Sequence, residues 1–146
     1  MMTEKDLYKY RDAKRAEERA RLKLKEFEAM FGSPRGAMGS PTPPDHSGDP
    51  TNRIVADVER HSVLLQKVEL AVREVSLAEM VLEVARRHLQ RETDIEVFDA
   101  LYFGWLDKNR LVFPSITEIS RKLAYSSSAV YKARARILTT LAPVAV

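Results

Sequence analysis

Two serines, Ser115 and Ser126, constrain what this chain can fold into more than any other feature. Ser115 stands just before Ile116, with Glu118 three residues on. In that S-x-x-E spacing the two side chains satisfy backbone N–H groups left free at a helix start. Pro114, immediately upstream, disfavours helix in the residue it follows. Ile116, Ile119 and Leu123 then share one helical face. Ala124-Tyr125 interrupts the pattern, and Ser126 offers a second N-cap. Val130, Ile137 and Leu141 form the inner stripe of a helix beyond it. The spacing predicts two short helices joined by a tight turn.

A helix pair of this kind matches the helix-turn-helix layout, whose second helix enters the DNA major groove. The outer face of that helix carries suitable chemistry. Ser127, Ser128, Tyr131 and Lys132 lie in its first turns, away from the apolar stripe, and present hydrogen-bonding groups to base edges. Arg121, Lys122, Arg134 and Arg136 are candidates for phosphate contacts. Charge supports the same expectation. Gly104 to Val146 holds seven Lys or Arg against Asp107 and Glu118, a local charge of +5. The remaining residues carry −2 and the whole chain +3, so the positive excess lies entirely in the last third. Localised basic charge is the electrostatic footprint of nucleic-acid binding.

Thr3 to Phe31 reads as a charged N-terminal helix (1–31). Tyr10, Ala13, Glu17, Ala20, Leu24, Phe27 and Phe31 step three and four residues apart along it, a thin heptad seam that needs a partner. Residues 32–52 hold four Gly and five Pro without apolar periodicity and read as a flexible linker. Residues 53–91 read as a long central helix or helix pair. Ile54, Val58, His61, Leu65, Val68, Val72 and Val75 form its seam. Such a repeat predicts coiled-coil pairing, within the chain or as a homo-oligomer interface. Ser76-x-x-Glu79 offers a break there, and a continuous helix with a phase change fits equally. Within 92–146, Thr93-x-x-Glu96 offers a cap for a third helix over Asp94–Leu106. Val97, Phe98, Leu101, Tyr102 and Trp105 are expected to pack under the helix pair. Asp107 to Pro114 reads as a connecting loop.

With five Gly, no Cys and 31% charged residues, the expected fold is all-α: long N-terminal and central coiled-coil-like helices and a C-terminal three-helix helix-turn-helix domain. No nucleotide-binding, metalloprotease or nucleophile-elbow motif occurs. His46, His61 and His88 are isolated and read as packed or surface residues. The expectation is therefore no enzyme, no cofactor and no metal. No apolar run is long enough to span a bilayer, and the N-terminus is charged from Glu4 onward. A cytoplasmic protein without a membrane partner is expected.

The phrase Glu118-Ile119-Ser120-x-x-Leu123, a turn, then Ser126-x-x-x-Val130-Tyr131-x-x-x-x-Arg136-x-Leu138-x-x-Leu141 resembles region 4 of the sigma-70 family. The layout of the whole chain resembles small phage and prophage transcriptional regulators of the ArpU/RinA type. Ser33-Pro34 and Ser40-Pro41 stand in the linker, and Ile54-Val55 with Asp57 opens the central helix. Ala124 departs from the glycine frequent at the turn. The resemblance implies a sequence-specific regulator of a phage late or packaging operon, with double-stranded DNA and RNA polymerase as partners. Two other classes share the layout: a small-terminase-like packaging component, and a sigma-like adaptor docking on RNA polymerase without DNA.

Overall fold

The computed structural model describes residues 1–31 and 50–145, so the predicted linker lies, over 32–49, outside the described residues. In chain order the elements are α1 (Glu4–Leu7), α2 (Lys9–Phe31), α3 (Pro50–Arg87), α4 (Glu92–Phe98), a π-helical turn (Asp99–Phe103), β1 (Trp105–Asp107), β2 (Arg110–Val112), α5 (Ile116–Leu123) and α6 (Ser127–Leu141). The described chain is mostly helical, with one two-stranded sheet. No helix among the described residues is long and apolar enough to cross a membrane.

Packing divides the chain into two compact units, Met1–Ala13 with Glu74–Val146, and Lys14–Arg73. The divisions fall inside α2 and α3, where the sequence had suggested boundaries at 31/32, 52/53 and 91/92. Apolar side chains from both ends of the numbering are responsible. Met2, Leu7, Tyr10 and Ala13 join Val75, Leu82, Ala85, Leu89, Val97, Phe98, Leu101, Tyr102, Ile119, Val130, Ala133, Ile137 and Leu141 in one buried cluster. Each fully buried large apolar side chain contributes about 1.5–3 kcal/mol. Residues 1–13 are thus part of the core that holds α5 and α6.

The first helix begins as Thr3 suggested. The Asp6 carboxylate accepts from the Thr3 N–H at 2.9 Å and from its hydroxyl at 3.0 Å. These bonds, with a Lys9 ion pair at 3.1 Å, lower the Asp6 pKa. The expected single helix over 3–31 is interrupted only at Tyr8. Tyr8 packs edge-on to Tyr102 at 5.4 Å, and Tyr10 to Phe103 at 5.7 Å.

The central helix α3 runs unbroken through Ser76, which settles the choice between break and continuity. Pro50 opens it, a position where the missing N–H costs nothing. The predicted seam is divided. Val68 and Val75 are buried and Val72 half-buried, whereas Ile54, Val58 and Leu65 are 64%, 63% and 42% exposed. Among the described residues of α3, Val68, Ala71, Val75, Leu82 and Ala85 are buried. They follow a three–four step that shares Val68 and Val75 with the prediction and takes Ala71 in place of Val72. The buried stripe and the predicted seam differ because α3 carries apolar residues on more than one face. Within Lys14–Arg73, the two predicted seams meet at Phe27 and His61, whose rings stack at 5.8 Å. His61 Nε2 also lies 3.0 Å from Glu28 Oε1.

The predicted third helix differs at both ends. It begins at Glu92, before Thr93, with Arg91 at the N-cap and no side-chain cap bond. Glu92 and Asp94 in its first turn complement the helix dipole instead. It ends at Phe103, short of Leu106. The Gly104 N–H closes the π-helical turn on the Asp99 carbonyl at 2.9 Å. Gly104 then adopts φ 75° and ψ −174°, a region open in practice to glycine alone. The predicted loop beyond it is a β-hairpin. Trp105 pairs with Val112, Leu106 with Leu111, and Asp107 with Arg110.

Candidate nucleic-acid interface

Helices α5 and α6 start where the serines placed them. Ser115 Oγ accepts from the Glu118 N–H at 3.3 Å, and Ser126 Oγ from the Ala129 N–H at 3.1 Å. Between the helices Ala124 turns the chain in the left-handed region, φ 59° and ψ 32°. Tyr125 fixes that turn from two sides. Its hydroxyl donates to Glu96 of α4 at 2.8 Å, and its carbonyl accepts from the Ser120 hydroxyl at 2.5 Å. The Glu96 bond holds the Tyr125 phenol protonated beyond its ordinary range.

Helix α6 has two contrasting faces. Val130, Ala133, Ile137 and Leu141 are buried. Ser127, Ser128, Tyr131 and Lys132 are all exposed, Tyr131 at 56%. The residues named as base-reading candidates therefore share one accessible surface at the start of α6. Arg121 and Lys122 occupy the last turn of α5 and are exposed. The Lys122 ammonium lies 4.3 Å from the centre of the Trp105 ring, a cation–π contact that ties α5 to the hairpin.

Arg134 and Arg136 are placed differently from the other basic candidates. Arg134 forks onto the Glu4 carboxylate, with Nε 2.8 Å from Oε2 and Nη2 bonded to Oε1. Both side chains are about a third exposed or less. Tyr102 adds a longer hydroxyl bond to the same carboxylate at 3.4 Å. Arg136 forks onto Asp94, with Nη2 2.8 Å and Nε 3.1 Å from Oδ1. Asp94 is buried, at 5% exposure. Carboxylate bonding raises the pKa of both guanidinium groups. Bidentate pairs of this kind add geometric definition to their energy. Here they orient α6 against α1 and α4.

Sequence reasoning placed Tyr102 in the core but missed its bond to Glu4, the pairing of Glu4 and Asp94 with arginines of α6, and the hairpin. The partners of Arg134 and Arg136 lie 130 and 42 residues away, beyond any helical spacing. The hairpin turns on Lys108-Asn109, which lacks the glycine that marks such turns. Among the described residues no group of three or more His, Asp or Glu converges to hold a metal ion.

No protein family model, curated protein or solved structure matches this chain.

The arrangement has defined chemical capacities. A rigid, capped helix presents two hydroxyls, a phenol and an ammonium on one accessible face. Arg121 and Lys122 add two exposed cations in the last turn of α5. Such a surface can donate to and accept from polar edges and neutralise anions.

Proposed function

We propose that this chain is a sequence-specific, double-stranded DNA-binding transcriptional regulator, and that α5 and α6 act as its helix-turn-helix. One observation carries the reading. Ser127, Ser128, Tyr131 and Lys132 are all exposed on the opening turns of a helix whose opposite face is locked into the core. Ser and Tyr hydroxyls and the Lys ammonium would meet base edges in the major groove. Arg121 and Lys122 would hold flanking phosphates. Arg134 and Arg136 serve better as positioning residues, because each already spends its donor fork on a carboxylate.

Exposed Ile54, Val58 and Leu65 support an oligomer interface on α3. A dimer would read two half-sites about one helical turn, or a multiple of it, apart. The likeness of the α5–α6 sequence to sigma-70 region 4 extends the proposal to a phage or prophage late promoter, with RNA polymerase as a second partner.

Selection of bound fragments from random genomic DNA, followed by sequencing, tests the proposal. It is run beside a Tyr131→Ala, Lys132→Ala variant. Enrichment of one motif, lost in the variant, is the expected result. Uniform salt-sensitive binding to all fragments would overturn base reading and favour a packaging component. Absence of DNA binding would leave the polymerase adaptor.

A further inference from the structure

We propose that the β1–β2 hairpin is a second DNA-contacting element, which places the Lys108 ammonium and the Asn109 side chain on the sugar-phosphate backbone beside the site read by α6. The inference rests on the DNA-binding reading and adds an element to it.

Four observations lead there. First, the hairpin tip is polar, basic and exposed: Asp107, Lys108, Asn109 and Arg110 all lie in solvent. Second, the tip keeps a costly residue. Lys108 and Asn109 both adopt positive φ, 51° and 65°, as a two-residue type I′ turn requires. Asn tolerates that region. Lys does not favour it, and Asn-Gly would make the same turn with less strain. A non-glycine residue held there points to a role for its side chain.

Third, the base of the hairpin is fixed to the core. A Cβ on Gly104 would lie 2.4 Å from the Val112 carbonyl oxygen, so the start of β1 packs directly against the backbone at the end of β2. Phe113, just past β2, packs edge-on to Tyr10 at 6.3 Å. Fourth, the hairpin is joined to the candidate phosphate-binding turn of α5 through the Trp105–Lys122 contact. Three residues of strand reach about 10 Å. The tip therefore stands roughly one strand length from Trp105 and Lys122. A duplex laid along α6 with its phosphates at Arg121 and Lys122 has further phosphates within that reach. A two-stranded ribbon is an established shape for following a DNA groove or backbone.

The test measures binding of the full chain to a labelled random-sequence duplex and to its selected motif, across a salt series. Three hairpin variants are compared with the native chain. Lys108→Asn with Asn109→Gly removes the ammonium and relaxes the turn. Lys108→Gln removes charge alone, and Lys108→Arg keeps it. Loss of one phosphate contact lowers the slope of log K against log salt by about 0.9 and weakens binding roughly five- to tenfold near 0.1 M salt. The expected result is that loss in both uncharged variants, equally on random and selected DNA, with Lys108→Arg close to native. The Asn-Gly variant should also melt no lower than the native chain, which separates lost contact from lost folding.

Unchanged affinity and slope in Lys108→Gln would overturn the hairpin contact. If motif preference is still lost in Tyr131→Ala, Lys132→Ala, the DNA-binding reading survives that outcome. A native chain that binds neither duplex removes both proposals together.

Discussion

Replacing Leu7 with Ala tests whether residues 1–13 belong to the core beneath α5 and α6. Leu7 is fully buried and packs in the same cluster as Val97, Tyr102, Val130 and Ile137. The substitution removes three carbon atoms from a site closed on all sides. Its cost combines lost transfer energy with a cavity the neighbours cannot fully fill, about 3 kcal/mol for such a position. At the size of this chain that lowers the melting temperature by roughly 10 °C. Leu22→Ala on α2 is the control, because Leu22 is 54% exposed and should change stability by less than about 0.5 kcal/mol. Denaturant unfolding gives the energies, and amide exchange along α5 and α6 locates the effect. Protection at Val130 and Ile137 should fall in Leu7→Ala and hold in Leu22→Ala. A Leu7→Ala cost under about 1 kcal/mol, with native exchange in α6, would refute the shared core.

Ala124→Gly should stabilise the chain by about 1 kcal/mol, because Ala124 sits at φ 59° where glycine carries no Cβ penalty; an unchanged denaturation midpoint would contradict that backbone geometry. Gly104→Ala should destabilise by about 3 kcal/mol or more, since φ 75° and contact with the Val112 carbonyl both oppose a Cβ. That loss should appear in thermal melts together with loss of the hairpin's cross-strand contacts by NMR. Burial, and then the charge of Glu4, raise the Tyr102 hydroxyl above its ordinary pKa of 10.0. Its folded pKa exceeds the unfolded one, so its contribution is complete below about pH 10 and is lost as pH rises through the folded value. Stability measured against pH should decline on that alkaline side, and the decline should flatten in Tyr102→Phe.

Local signals were legible in the sequence wherever a short-range rule governs the structure. Ser115 and Ser126 cap their helices because each is an extended residue at a helix entrance with its side-chain oxygen facing the N–H three residues on, whereas the same spacing at Ser76 and Thr93 falls inside α3 and α4 and caps nothing. Ile119, Val130, Ile137 and Leu141 are buried because a single apolar stripe leaves one way to turn the helix. The exposure of Ser127, Ser128, Tyr131 and Lys132 follows from the same stripe. Contacts between distant residues were not legible. Nothing in the spacing of Glu4 or Tyr8 indicates that their partners are Arg134 and Tyr102, or that Leu7 shares a core with Val130. The heptad steps of Tyr10 and Ala13 suggested a coiled-coil seam, and the structure uses both residues in the core with α4 and α6. On α3 too many apolar positions competed for one phase, so the predicted seam fell one residue away from the buried stripe at Ala71. The hairpin escaped because its strands are three residues each, too short to establish alternation, and its turn carries Lys-Asn.

The shared core of residues 1–13 with Glu74 onward also sets an order of events in folding. Between those segments the chain makes a sixty-residue excursion, Lys14–Arg73. The cluster that holds Met2 and Leu7 is complete only once Leu141 exists, so a nascent chain carries them with part of their surroundings missing through most of synthesis. Contacts at such sequence separation raise contact order and slow folding relative to an ordinary helical bundle. The closure penalty itself grows only logarithmically, about 0.6 kcal/mol for each doubling of the excursion. Length changes confined to the stretch between α2 and α3 therefore add little to the cost of closing that core.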